Sequence, residues 1–159
     1  MSLRIGSGVD YHQLVEGREL WIGGIRIPHS KGGLGHSDAD VLLHSICDAI
    51  LGAACLGDIG NHFPDASSEY KNIDSKILLK TTFDLATEAG YKIINIDSTV
   101  CLQQPKISSY ILDMRQTIAN ILSLTINDIS IKATTTEKMG FVGREEGMVS
   151  YATVLMKRM

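Results

Sequence analysis

The sequence predicts an α+β fold: one domain over residues 1–159, built on a mixed β-sheet with helices covering one face. Three observations predict it. Segments with strand-like alternation and segments with helical spacing follow one another as β, hairpin, α, α, β, α, β, β. No linker, repeat or low-complexity stretch divides the 159 residues. A chain of this length buries roughly 70% of the surface that its unfolded form exposes, so a single core suffices.

The elements follow in order. L-R-I-G-S-G-V-D-Y-H, from Leu3 to His12, reads as a strand, and residues 19–28, E-L-W-I-G-G-I-R-I-P, read as a hairpin around Gly23-Gly24. K-G-G-L-G-H-S-D-A-D reads as a glycine-rich loop with candidate helix caps at Ser37 and Asp38. Val41, Leu42, Ile46, Ala49, Ile50 and Ala53 then recur at helical spacing, which predicts a helix over 39–55. Residues 57–70 read as a loop. Asp74 caps a second helix over 75–89, stopped by Gly90. Residues 93–102 alternate as a strand that Pro105 ends, 107–122 read as a third helix, and 128–134 as a strand. After T-T-E-K-M-G-F-V-G-R-E-E-G, a last strand, M-V-S-Y-A-T-V-L-M-K, closes the chain. The sheet face away from the helices, expected to carry Val100, Val149 and Val154, needs a cover, and self-association is the simplest one.

Composition excludes several classes of function. The chain is 44% hydrophobic and 21% charged, with a formal net charge of −3, as in an ordinary soluble protein. No Lys/Arg-rich run offers a footprint for nucleic acid. No apolar run reaches the roughly 18 residues of a membrane span, and no charged-then-apolar leader opens the chain. A cytoplasmic protein is expected, or an organellar one after removal of a transit peptide. Cys47, Cys55 and Cys101 match no C-x-x-C pattern; two lie in apolar runs, which suggests buried free thiols in a reducing compartment.

Several residues could carry chemistry. Asp10 and His12 are two apart in a strand, so a carboxylate and an imidazole share a face. The alternative is a turn aspartate beside a solvated histidine. Asp40, His44 and Asp48 recur at i, i+4, i+8 on an otherwise apolar helix. They form either a solvated stripe, or a site in which His44 joins Asp10 and His12 while Asp48 orients a ligating ring. One carboxylate and two imidazoles would leave an open metal position, the catalytic pattern for Zn²⁺. His36 and Ser37 precede the helix, where an anion would be favoured. Asp58 and Asp65 flank two glycines in a loop suited to sugar hydroxyls or to a plain surface turn. Three threonines before Glu137 suit phosphate oxygens and a hard divalent cation, and Arg144 supplies a planar fork or is simply exposed.

In this order G-V-D-Y-H, H-S-D-A-D-V-L-L-H, G-D-I-G-N-H-F-P-D, P-K and K-A-T-T-T-E-K-M-G-F-V-G-R-E-E-G closely resemble the 2-C-methyl-D-erythritol 2,4-cyclodiphosphate synthase family, from about residue 3 to the end. The resemblance implies a lyase of the non-mevalonate isoprenoid pathway. It would convert 4-diphosphocytidyl-2-C-methyl-D-erythritol 2-phosphate to the cyclic diphosphate and release CMP. It implies Zn²⁺ on Asp10, His12 and His44, and Mg²⁺ or Mn²⁺ on Glu137. His36 and Thr135 would align the phosphates, with Ser37 beside them. Asp58, Ile59, Gly60, Phe63 and Asp65 would hold the methylerythritol part. Leu102, Gln103, Gln104, Pro105, Lys106, Ile107 and Ser108 would cradle cytidine. Thr134, Thr136, Phe141 and Arg144 would complete the contacts. Leu102 and Gln104 stand where small alanines are common in this family. The resemblance also implies a homotrimer, its sheets packed around the axis and its active sites between subunits. A zinc hydrolase and a metal-stabilised scaffold are the rival readings.

Overall fold

Leu3–Glu16 form β1, which runs past His12 to Glu16. Side chains alternate along it, so Gly6, Gly8, Asp10 and His12 share one face while Ile5, Val9 and Tyr11 share the other. The structure is a computed structural model that describes residues 2–64 and 68–159. The predicted hairpin is β2 (Leu20–Ile22) and β3 (Ile25–Ile27). Its turn needs two left-handed residues, and Gly23 and Gly24 supply them at φ 62° and 75°.

The glycine-rich loop is in part a strand. β4 (Lys31–Leu34) pairs antiparallel with β1, from Glu16↔Lys31 to Gln13↔Leu34. K-G-G-L has no alternation to betray it. The missing side chains serve packing: a Cβ at Gly32 would lie 2.1 Å from the carbonyl of Glu19.

α1 (Val41–Ala54) is capped by Asp40, not by Ser37 or Asp38 as expected. Asp40 is fully buried and accepts from the backbone N–H groups of Leu43, Gly23 and Gly24 at 3.0, 2.9 and 2.7 Å. One carboxylate thus starts α1 and fastens the β2–β3 turn to it. Ser37 instead accepts from Ala39 N–H, and Asp38 reaches toward the next long helix. A one-turn helix, α2 (Ile59–His62), interrupts the predicted loop. α3 (Ser75–Glu88) begins at its predicted Asp74 cap and gives way to Gly90 at φ 85°. β5 (Tyr91–Cys101) follows, then a 3₁₀ turn, Ser108–Tyr110, and α4 (Ile111–Leu122). The third helix therefore starts later than the predicted residue 107. β6 (Ile129–Thr134), the short α5 (Gly140–Gly143) and β7 (Gly147–Arg158) complete the chain.

The sheet order is β4-β1-β7-β5-β6. β7 is antiparallel to both β1 and β5, while β5 and β6 are parallel, so the sheet is mixed. β1, β5 and β6 therefore run the same way. The registers of β1 and β5 on β7, and of β6 on β5, put His12, Cys101 and Thr134 at one end of the sheet. That end carries every feature of the site.

The helices cover one face, and the core lies between them and the sheet. Val100 and Val154 belong to this covered face, contrary to expectation. Val154 pairs with Gly6, and Val100 and Asp10 both pair with Ser150. Cross-strand partners point the same way, so both valines face the helices, at 0% exposure. Val149, opposite Tyr11, does lie on the other face. That face remains apolar through Ile5, Val9, Tyr11 and Tyr151, with Ile5 73% exposed. All three cysteines are free thiols, but Cys47 alone is fully buried; Cys101 is half-buried and Cys55 exposed.

Candidate active site

The sheet brings two clusters of the predicted residues together near its β1/β5/β6 C-terminal end. The first forms where α1 crosses β1. Gly6 and Gly8 have no side chains, so the helix backbone approaches the strand closely; a Cβ on Gly8 would sit 2.0 Å from the Ser45 carbonyl. This closeness lets His44, projecting from α1, reach Asp10 and His12. His12 Nε2 lies 2.9 Å from Asp10 Oδ2, His44 Nδ1 lies 3.2 Å from the same oxygen, and the two ring nitrogens are 3.1 Å apart. The three ligand atoms all fall within 4.8 Å of one another.

Hydrogen bonds on the far side of each ring decide what faces inward. His12 Nδ1 lies 3.0 Å from the Leu34 carbonyl, which can only accept, so this nitrogen is the donor and Nε2 keeps its lone pair. His44 Nε2 lies 2.8 Å from Ser75 Oγ, which leaves Nδ1 facing Asp10 and His12. Two imidazole lone pairs and a carboxylate aimed at one point repel unless a cation lies between them. The donor set therefore fits a divalent cation such as Zn²⁺, with a position left open to a ligand. Protons on the two rings can stand in for that cation: burial opposes the charge on Asp10, yet the hydrogen bonds and charges of His12 and His44 then outweigh it and hold the carboxyl at about 2. Burial likewise works against a charged His12, and the bond to Asp10 outweighs it, raising the ring above its ordinary value.

Asp48 does not orient a ligating ring, as the i, i+8 spacing had suggested. Its carboxylate accepts from Ile59 N–H at 2.8 Å and so ties α2 to α1. This tie positions one wall of a cavity of about 230 Å³ that the cluster lines. Ile59, Gly60 and Phe63 line it there, and Gly35, His36 and Ser37 line it as well. Asp58, next to Ile59, caps α2 by accepting from Asn61 N–H at 2.9 Å through one carboxylate oxygen. Asp65 lies outside the described residues. Tyr70, Ile73 and Leu78 also line the cavity and were not foreseen: Tyr70 and Ile73 sit in irregular segments before the Asp74 cap, and Leu78 reads as an ordinary apolar helix position.

The second cluster surrounds a separate cavity of about 200 Å³. Leu102, Gln103, Pro105, Lys106, Ile107 and Ser108 form it with Ala133, Thr134 and Thr135. Leu102 is 5% exposed and serves as its apolar floor. Gln104 is exposed and is not part of the lining. Gln103 Oε1 accepts from Lys138 N–H at 3.3 Å, which links this loop to the threonine loop. There Thr135 donates to Glu137 Oε1 at 2.7 Å, and Thr136 donates to the Met139 carbonyl at 2.6 Å. Glu137 and Lys138 hold left-handed backbone, at φ 52° and 64°. Phe141 packs 6.2 Å from the Tyr11 ring, and Arg144 forks onto Glu146 at 3.0 and 3.1 Å.

The two cavities share no residue within one chain. Fold and site together define an α+β protein in which a three-ligand cluster able to hold a metal ion opens onto a small-molecule cavity. The YgbB family model matches residues 3–157, and the chain belongs to that family. It is 62% identical over 158 residues to the 2-C-methyl-D-erythritol 2,4-cyclodiphosphate synthase of Bacteroides thetaiotaomicron, covering 99% of each chain. The protein of that name from Parabacteroides distasonis is 60% identical over 159 residues, covering 100% of this chain and 99% of that one. Among solved structures, the bifunctional IspDF of Campylobacter jejuni superposes with a TM-score of 0.96 at 45% identity. That match covers 99% of this chain but 43% of the longer bifunctional one. The CDP complex of IspF from Plasmodium falciparum superposes at 0.86 with 34% identity, over 99% and 97% of the two chains. No helix among the described residues is long and apolar enough to cross a membrane.

Proposed function

We propose that this chain, acting as one domain over residues 1–159, is a cytoplasmic CMP-releasing 2-C-methyl-D-erythritol 2,4-cyclodiphosphate synthase, a phosphorus–oxygen lyase of isoprenoid biosynthesis. The observation that carries the reading is the convergence of Asp10, His12 and His44 on the rim of a cavity in a chain that matches synthases of that name end to end. The reaction is internal. The 2-phosphate oxygen of the substrate bonds to the β-phosphorus, the bond from that phosphorus to the bridging oxygen breaks, and CMP leaves with that oxygen.

The task of the protein is to fold a flexible polyanion onto itself. Correct alignment in such reactions is worth about 7–11 kcal/mol. Ile59, Gly60 and Phe63, with Asp58 and Asp65, hold the methylerythritol part. His36, Ser37 and Thr135 hold phosphate oxygens in line. Leu102 to Ser108 grip the cytidine, and Thr134, Thr136, Phe141 and Arg144 complete that side. The CDP complex of the Plasmodium falciparum relative supports a cytidine nucleotide as ligand. Asp10, His12 and His44 would hold Zn²⁺ and Glu137 would hold Mg²⁺ or Mn²⁺. Bound there, the cations supply neutralising charge to the phosphate oxygens.

Two separate cavities and an exposed apolar sheet face support a homotrimer. In it the Asp10–His12–His44 cavity of one chain meets the cytidine pocket and threonine loop of the next. The test is incubation with the diphosphocytidyl substrate. CMP release that a chelator abolishes and Zn²⁺ with Mg²⁺ restores is expected; no CMP from metal-replete protein would contradict the assignment.

A further inference from the structure

We infer that Ser75 and Asp38 form a positioning chain that turns the His44 ring toward the metal, an inference that rests on the metal reading above. Ser75 opens α3, 31 positions from His44 in sequence, and is completely buried. Its hydroxyl has two partners, His44 Nε2 at 2.8 Å and the Oδ1 of Asp38. The carboxylate of Asp38 can only accept, so the Ser75 hydroxyl proton points to it. The Ser75 oxygen is then left as an acceptor, and His44 Nε2 must carry the hydrogen that it accepts. This selects one tautomer and one ring orientation, with the Nδ1 lone pair directed at Asp10 and His12.

Asp38 is itself fixed. Its Oδ2 accepts from Ser75 N–H at 2.9 Å, and its Oδ1 accepts from Asp40 N–H at 3.1 Å. Asp40 in turn caps α1, the helix that bears His44. The loop before α1 and the first turn of α3 thus clamp the ring from behind. Ser37 Oγ also approaches His44 Nε2, at a longer 3.2 Å; it accepts from Ala39 N–H and keeps a second lone pair with which it can share the same Nε2 hydrogen. Buried hydroxyl–carboxylate pairs behind a ligating imidazole fix its tautomer and raise its basicity. Their loss typically weakens metal binding roughly 10–100-fold.

The test uses the full chain stripped of metal, with zinc affinity read by competition against a chelator. Wild-type protein that takes up no zinc would refute the metal reading itself, a distinct result. Ser75→Ala keeps the backbone N–H that Asp38 accepts, so the loop stays anchored. It is expected to bind zinc about 10–100-fold more weakly, while Ser75→Thr restores the hydroxyl and the affinity. Wild-type affinity in Ser75→Ala would overturn the inference, because a merely structural serine would change the melting temperature and not the metal. Should the alanine variant fail to fold, ¹⁵N-histidine spectra of wild-type zinc protein decide the matter. A hydrogen on His44 Nε2 with Nδ1 metal-bound is expected, and the opposite tautomer would overturn the inference.

Discussion

Nε2 of His12 stands 3.1 Å from Nδ1 of His44, although 32 positions separate the two residues. The separation is bridged by a backbone approach and not by long side chains. β1 and α1 can lie this close because Gly6 and Gly8 face the helix; a Cβ on Gly6 would fall 1.9 Å from the Ala49 carbonyl.

Gly8→Ala therefore acts on the fold and the site together. Its Cβ would meet the backbone of Ser45 and Ala49 at 2.0 and 2.8 Å, and no rotamer change relieves a clash with backbone. The strand and helix must separate, at a cost of roughly 3 kcal/mol or more. Thermal denaturation is expected to show a clear drop in melting temperature, and the surviving folded protein to hold zinc less tightly. A variant that melts with the wild type would contradict this packing.

Glu137→Gln is expected to leave zinc bound and to flatten the response to Mg²⁺. Glu137 sits on an exposed left-handed turn, with Thr135 donating to one carboxylate oxygen and the other oxygen open to an ion. A neutral amide is a poor ligand for a hard cation. CMP release titrated with Mg²⁺ checks this, and an unchanged titration curve would contradict the role.

Cys47 makes stability depend on pH in a defined window. Burial pushes its thiol up from 9.0 to about 12. Below pH 9 the thiol is protonated in folded and unfolded chains alike. As pH rises through that value the unfolded chain releases the proton and the folded chain keeps it, so stability falls until the folded thiol also ionises. Between about pH 9 and 10.5 the denaturation midpoint of wild type is expected to fall more steeply than that of Cys47→Ala. Parallel declines would show that the thiol is not held neutral by the fold.

Much of this was legible in the sequence, and the limits have physical causes. Asp10 and His12 announce a shared face because a strand alternates, the periodicity of α1 marks that helix, and the Asp74 cap and Gly90 stop mark α3. Three features were hidden. β4 carries K-G-G-L, where close packing removed the side chains that would have shown alternation. Asp40 and Asp48 keep a regular spacing but serve backbone amides, and spacing does not say which groups a carboxylate meets. Ser75 reads as the ordinary first residue of a helix, because its contact with His44 exists only after α3 packs against α1. Val100 and Val154 were assigned to the wrong face, since both faces of this sheet carry apolar residues and strand registers decide between them.

A shared active site is tested by mixing two inactive variants, His12→Ala and Lys106→Glu. Ile5, Tyr11 and Tyr151 leave an apolar face uncovered, and the two cavities of one chain are separate. In a cyclic trimer each site takes one half from each of two neighbours. After joint refolding in equal amounts, about a quarter of the sites would be undamaged and roughly a quarter of wild-type activity is expected to return. No recovery, with mixed trimers confirmed by mass, would contradict the shared site.

Cyclisation itself is tested most directly by running the reaction in ¹⁸O-labelled water. Attack by the substrate's own 2-phosphate uses no water oxygen. The expected result is CMP and a cyclic diphosphate, both of unlabelled mass, with ³¹P signals of two coupled ring phosphates. An open-chain product carrying ¹⁸O on the former β-phosphate would show instead that the Asp10–His12–His44 centre serves hydrolysis, and would contradict the account.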